Sequence, residues 1–140
     1  MTVMTIRRSK ERIKKTAEIF TPIPLVQEIL DRFPEDVWND PLKTFLDNSC
    51  GVGNFLLCVV GRKLEHGHAT DQALSTTFGV ELMSDNVEEC RKRLLGLAAL
   101  HDAITLEEAQ DKYGSIVSRN IVCADALTYD YAFKDVRNEI

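Results

Sequence analysis

The sequence has no run of ~20 uninterrupted apolar residues, which excludes a membrane-spanning helix. Its first segment, MTVMTIRRSKERIKK, is positive but has neither an apolar core region nor a cleavage site, so a secretory signal is not expected and a cytoplasmic location is. Cysteine is scattered. Cys50, Cys58, Cys90 and Cys123 form no CxxC pair, and each lies in or beside an apolar run where a reduced thiol packs as a small hydrophobe. Neither a disulfide nor a zinc site is expected. His66 and His68 in EHGHAT have no third ligand at a useful spacing and read as solvated loop histidines. Proline is scarce too: Pro22, Pro24, Pro34 and Pro41 are the whole set, and no two are adjacent.

Net positive charge is also lacking. The chain carries −5 at pH 7, and an acidic body is a poor autonomous binder of nucleic acid because phosphate repels it. The exception is RRSKERIKK, where Arg7, Arg8, Lys10, Arg12, Lys14 and Lys15 stand against one acid. Such a run usually forms a solvated helix face, with phosphate contact as the alternative. The expected organisation is a basic arm over 1–16 and one folded domain over 17–140. A length of 140 residues with 44% hydrophobic content suffices for a single core.

The pattern alternates strands with helices. FTPIPLVQEILDRFP opens with Thr21 as N-cap and Pro22 in the first helical position, and Leu25, Val26, Ile29, Leu30 and Phe33 line one face before Pro34 stops it. EDVWNDPLK reads as a connection. TFLDN (44–48) reads as a buried strand, then comes a glycine turn and a buried helix over about 54–64. HGHATDQALS is a loop with room for a short helical piece. TTFGVEL (76–82) is a second strand. Ser84 or Asp85 starts a second helix with Val87, Cys90, Leu94 and Leu97 inward, and Thr105 with Glu108 forms a capping box for a third. NIVCAD (120–125) is the last strand. The expectation is an α/β fold: a parallel sheet with a βαβαβ core preceded by an N-terminal helix, half of a doubly wound Rossmann-like fold.

In such a sheet a ligand sits beyond the carboxyl ends of the strands, and here all three end in an acid: Asp47, Glu81 and Asp125. Gly51 and Gly53 after the first strand do not complete GxGxxG, since Leu56 holds the third position, and a lone GxG is weak. Asp47 would repel a diphosphate and favour an ammonium. Glu81 could grip the two hydroxyls of a ribose, and Asp125 could accept from an adenine amino group. An adenosine joined to a methionine satisfies these acids better than a dinucleotide does. The expected cofactor is S-adenosylmethionine, with other nucleotide binding as the alternative use of the turn.

FLDNSCGVGNFL resembles the first motif of adenine-N6 DNA methyltransferases, a hydrophobic pair followed by D-P-x-C-G-x-G-x-F-L. EIFTPIPLV resembles their upstream motif, FGVELMSDNVEECRKRL their second and IVCADAL their third, in the family's order over residues ~17 to 130. The resemblance implies that Phe20, Thr21 and Pro22 close over the methionine end. It implies that Asp47, Gly51 and Gly53 form the cradle, with Cys50 and Phe55 matching its other motif positions and the helix N-terminus near the carboxylate. Glu81, with Leu82 beside it, would hold the ribose, and Asp125 with Ala126 the adenine. Asn48 departs from the family's proline.

A larger departure is the family's fourth motif, (N/D)-P-P-(Y/F/W), which orients the flipped adenine and is nowhere in this sequence. No catalytic residue is therefore assigned. Two functions follow from different classes: a cofactor-binding half whose catalytic motif and DNA-reading part come from another chain, or a non-catalytic regulatory or decoy module in a methylase or restriction complex. In the family's 3-2-1-4-5 strand order a fourth strand covers the edge beside TFLDN. Without it that edge must be covered by the tail TYDYAF, packing or pairing locally, or by a second copy or another chain. A homo-oligomer or hetero-complex is expected.

Overall fold

Three short runs rich in β-branched and aromatic residues form the sheet: β1 (Phe45–Asp47), β2 (Thr77–Glu81) and β3 (Ile121–Cys123). The structure is a computed structural model that describes residues 8–10, 12 and 20–134. Arg7, Lys14 and Lys15 of the basic arm lie outside the described residues. The strands are parallel in the order β1-β2-β3, with Phe45 opposite Thr77, Asp47 opposite Gly79, Gly79 opposite Ile121 and Glu81 opposite Cys123. Parallel neighbours require crossovers, and each here contains two helices. α3 (Asn54–Glu65) and α4 (Thr70–Ser75) join β1 to β2; α5 (Ser84–Asp102) and α6 (Leu106–Asn120) join β2 to β3. Ahead of the sheet run α1 (Ile23–Leu30) and α2 (Glu35–Asn39).

The core forms where the apolar helix faces meet one side of the sheet. Leu56, Val60, Val87, Cys90, Leu94, Ala98, Val117 and Ile121 belong to one buried cluster. The expected inward face of α5 is borne out, because Val87, Cys90, Leu94 and Leu97 are all buried. The capping box of α6 is complete, with the Glu108 N–H donating to Thr105 Oγ1 and the Thr105 N–H donating to Glu108 Oε1. A second cluster of Val26, Leu30, Trp38, Cys58 and Val59 seats α1 and α2 against α3, and Trp38 stacks on Phe45 at 5.1 Å.

Several local expectations are corrected. α1 begins one residue late: Pro22, in extended conformation, is the N-cap and Thr21 supplies no side-chain cap, while Pro24 sits in the first turn, where its missing N–H costs nothing. On α1 only Val26 and Leu30 are fully buried, while Leu25 and Phe33 remain exposed. EDVWN is a helix and not a connection. Glu35 and Asp36 in its first turn complement the helix dipole, and buried Trp38 anchors it. α5, by contrast, starts at Ser84 as expected, with Met83 in the N-cap position. β3 is shorter than expected, since Asn120 ends α6 and spends its side-chain amide on the carbonyls of Leu74, Ser75 and Thr77. His68 is buried, with Nε2 2.6 Å from the Trp38 carbonyl oxygen, whereas His66 is exposed as expected and pairs with Glu35. Cys123 is exposed; the other three cysteines are buried.

β1 is not a buried strand. Leu46 is 51% exposed, and β2 is the only strand paired with β1 among the described residues. The register and the two-residue alternation put Leu46, Phe78, Val80 and Val122 on the sheet face opposite the helices. There the tail packs and does not pair. Phe133 meets Phe78 at 4.7 Å, Tyr129 meets Phe133 at 5.4 Å, and the Phe133 N–H donates to the Tyr129 hydroxyl.

Candidate functional site

The carboxyl end of β1 runs directly into the glycine turn. The Ser49 N–H donates to Asp47 Oδ1 at 3.0 Å, the Cys50 N–H to the Val80 carbonyl at 3.0 Å, and the Gly53 N–H to the Cys50 carbonyl at 2.9 Å. These bonds fold the chain back over β2 before α3 starts. Gly51 and Gly53 have φ of +55° and +91°, a region that strains other residues. Both also sit at close approaches. A Cβ on Gly51 would lie 2.8 Å from Phe20 Cδ1, and one on Gly53 would lie 2.7 Å from Cys90 Sγ. The glycines therefore let Phe20 lie on the turn from one side and α5 press on it from the other.

Glu81 ties the turn to the next strand. Its buried carboxylate accepts from the Gly51 N–H at 3.1 Å through Oε1, and from the Met83 N–H at 2.9 Å and Asn86 Nδ2 at 3.2 Å through Oε2. A carboxylate has about four lone-pair sites, so three are engaged and little capacity is left for a ligand. Asp47 lies close by. Burial pushes its carboxyl above the ordinary range, and the Glu81 charge adds to that against the opposing Ser49 N–H. A buried carboxylate with a second one beside it makes a position where a bound cation is stabilised. Cys50 is buried, and its thiol is pushed strongly up by a hydrogen bond with Cys90 and by burial.

Phe20, Thr21, Asp47, Cys50, Gly51 and Phe55 line one cavity of about 40 Å³, together with Ser49, Val52 and Asn54. The sequence-predicted upstream and glycine motifs are thus brought together, although 26 positions separate Thr21 from Asp47. Asn54 holds them in place: its Nδ2 donates to the Thr21 carbonyl at 3.0 Å, and its Oδ1 accepts from Arg93 Nη1 at 2.9 Å. Arg93 Nη1 also donates to the Val52 carbonyl at 2.8 Å. Pro22 is the exposed cap of α1, and Asn48 and Leu82 are exposed on the same carboxyl edge. Asp125 lies outside the cavity in a turn, where Oδ1 accepts from the Leu127 N–H at 2.9 Å; Ala126 follows it, half-buried. The chain between them and the site remains hooked, since the Ala124 N–H donates to the Glu81 carbonyl at 3.0 Å.

Sequence reasoning missed Asn54, Asn86 and Arg93. Asn86 is fully buried in the first turn of α5, five residues after Glu81. A polar side chain just past a strand-end acid, on the inward side of a helix start, was the available signal. Among the described residues no group of three or more His, Cys, Asp or Glu is placed to hold a metal ion. No helix among them is long and apolar enough to cross a membrane. No protein-family model matches the chain, and neither a curated protein nor a solved structure is significantly similar to it.

Proposed function

We propose that this chain is the S-adenosylmethionine-binding part of a DNA adenine-N6 methyltransferase, with a Rossmann-like half-sheet as its scaffold. The single observation that carries the reading is the meeting of Phe20, Gly51 and Glu81. An aromatic ring, a left-handed glycine and a strand-end acid from three separated segments converge at the carboxyl end of a parallel sheet. That is where such sheets bind their ligands.

The residues fit the methionine end of the cofactor. Asp47 offers negative charge to an ammonium, and the α3 N-terminus begins beside it at Asn54. Glu81 is the acid for the ribose and would share its carboxylate with the Gly51 and Met83 N–H groups that it already accepts from. Asp125 and Ala126 are the adenine contacts, outside the cavity just past the carboxyl end of β3. When bound, the cofactor supplies a methyl group on a sulfonium. The chain's own residues hold and orient it, and the base-positioning motif must come from outside these residues, because no adjacent prolines occur in them.

That same absence supports a second reading, a cofactor-binding regulatory module that performs no transfer itself. Under either reading the open edge of β1, with Leu42 and Leu46 exposed, is where a second copy or a partner chain would add a strand. Calorimetric titration with S-adenosylmethionine and S-adenosylhomocysteine, with NAD and ATP as controls, tests the proposal. Selective binding near −8 kcal/mol, about micromolar, is expected. Preference for NAD or ATP would replace the reading with nucleotide binding.

A further inference from the structure

The cavity that Phe20 lines has room for little more than one water, about 40 Å³ against the ~30 Å³ that one water occupies in the liquid. A ligand the size of an amino-acid moiety requires Phe20 to move. What holds Phe20 down is therefore part of the site.

Two cations of the basic arm reach this point. The guanidinium carbon of Arg8 lies 5.7 Å from the centroid of the Phe20 ring, within cation–π range. Arg8 Nε also donates to Asn86 Oδ1 at 3.2 Å, and Nη2 contacts the same oxygen. Arg12 pairs with Asp85 through both terminal nitrogens, with Nη2 2.7 Å from Oδ1. Asn86 in turn donates to Glu81. Arg8 and Arg12 thus span from the Phe20 ring to the rim of the acid cluster. The arm was expected as a solvated face or a phosphate contact; Arg8 and Arg12 instead dock on their own domain.

We propose that Arg8 and Arg12 form an ionic strap that keeps Phe20 closed over the glycine turn, and that the phosphate backbone of nucleic acid opens the site by competing for these two cations. The strength is suited to that role. A bidentate guanidinium–carboxylate pair has good geometry, yet Asp85 is half exposed and Arg12 a quarter exposed, so water and salt screen the pair. A contact of this kind is readily exchanged for phosphate, whose capture by arginine gains from counterion release. The ligand's identity rests on the reading above; the strap does not.

The test compares the full chain with an Arg8→Gln/Arg12→Gln variant. Amide hydrogen exchange is followed over 20–26 and 84–87, and S-adenosylhomocysteine affinity is measured with and without a short DNA duplex. Faster exchange in both segments is expected in the variant, and in the wild type on adding DNA, with ligand affinity raised roughly five- to tenfold. DNA should change nothing further in the variant. Unchanged exchange, or weaker ligand binding by the variant, overturns the proposal. Faster exchange with no ligand binding by either protein leaves the strap standing and removes the cofactor reading instead.

Discussion

The two ends of the sheet treat charge in opposite ways. At the carboxyl end, Asp47 and Glu81 sit together and are held by backbone N–H groups, at a glycine turn covered by one aromatic ring. At the amino end, Lys63 of α3 is 1% exposed. Its Nζ donates to Thr76 Oγ1 at 2.6 Å and Thr77 Oγ1 at 2.8 Å, and lies 5.0 Å from the Phe45 centroid. Burial lowers its pKa from 10.5 to about 8. The acids form a cluster that a cationic ligand group can complete, whereas the lysine is already satisfied by neutral hydroxyls and a ring. Buried charge alone does not mark a site; charge left with an unfilled, reachable side does.

Breaking the turn should have the largest effect. Gly53→Ala combines a positive φ with a 2.7 Å approach to Cys90 Sγ, and should cost about 4 kcal/mol in chemical denaturation. Next comes the amino end. Lys63 binds its proton less tightly in the folded chain than in the unfolded one. Folding stability should therefore rise as pH rises from about 8 to 10.5, by about 3 kcal/mol. Lys63→Met should abolish that rise and leave ligand binding unchanged, as judged by denaturation at several pH values. A rise that persists in the variant would assign the titration to another group.

Asp47→Asn sharpens the contrast from the other side. Asparagine can still accept from the Ser49 N–H, so the turn should keep its stability while affinity for an ammonium-bearing ligand falls about tenfold, ~1.4 kcal/mol, by calorimetry. Glu81→Ala is the less clean probe, because it also strips the Gly51 and Met83 N–H groups of their acceptor. Thr105→Ala, which belongs to neither end, should cost about 1 kcal/mol through loss of its cap and leave binding unaltered.

Features set by local chemistry were legible in the sequence. The capping box at Thr105, the inward face of α5 and the turn at Gly51 and Gly53 each depend on residues close together in the chain. What tertiary packing decides was not legible. TFLDN is apolar enough for a central strand, yet Leu46 stays exposed on the sheet face opposite the helices. His68 and Lys63 look like surface residues by type, but Trp38 and the Thr76–Thr77 hydroxyls supply partners from elsewhere in the chain. At the candidate site the strand-end acids and glycines could be read directly. Asn86, the link between Glu81 and the basic arm, could not, because its importance lies in reaching across to Arg8, 78 positions away.

Amide spectra of the isotope-labelled chain during titration with S-adenosylhomocysteine test the central claim most directly, since Gly51 and Gly53 report on one end of the sheet and Thr76 and Thr77 on the other. The account predicts saturable shifts at Gly51, Gly53 and Asn86, with Thr76 and Thr77 unmoved. Shifts confined to the Lys63 end, or none at the glycine turn at saturating ligand, would contradict it.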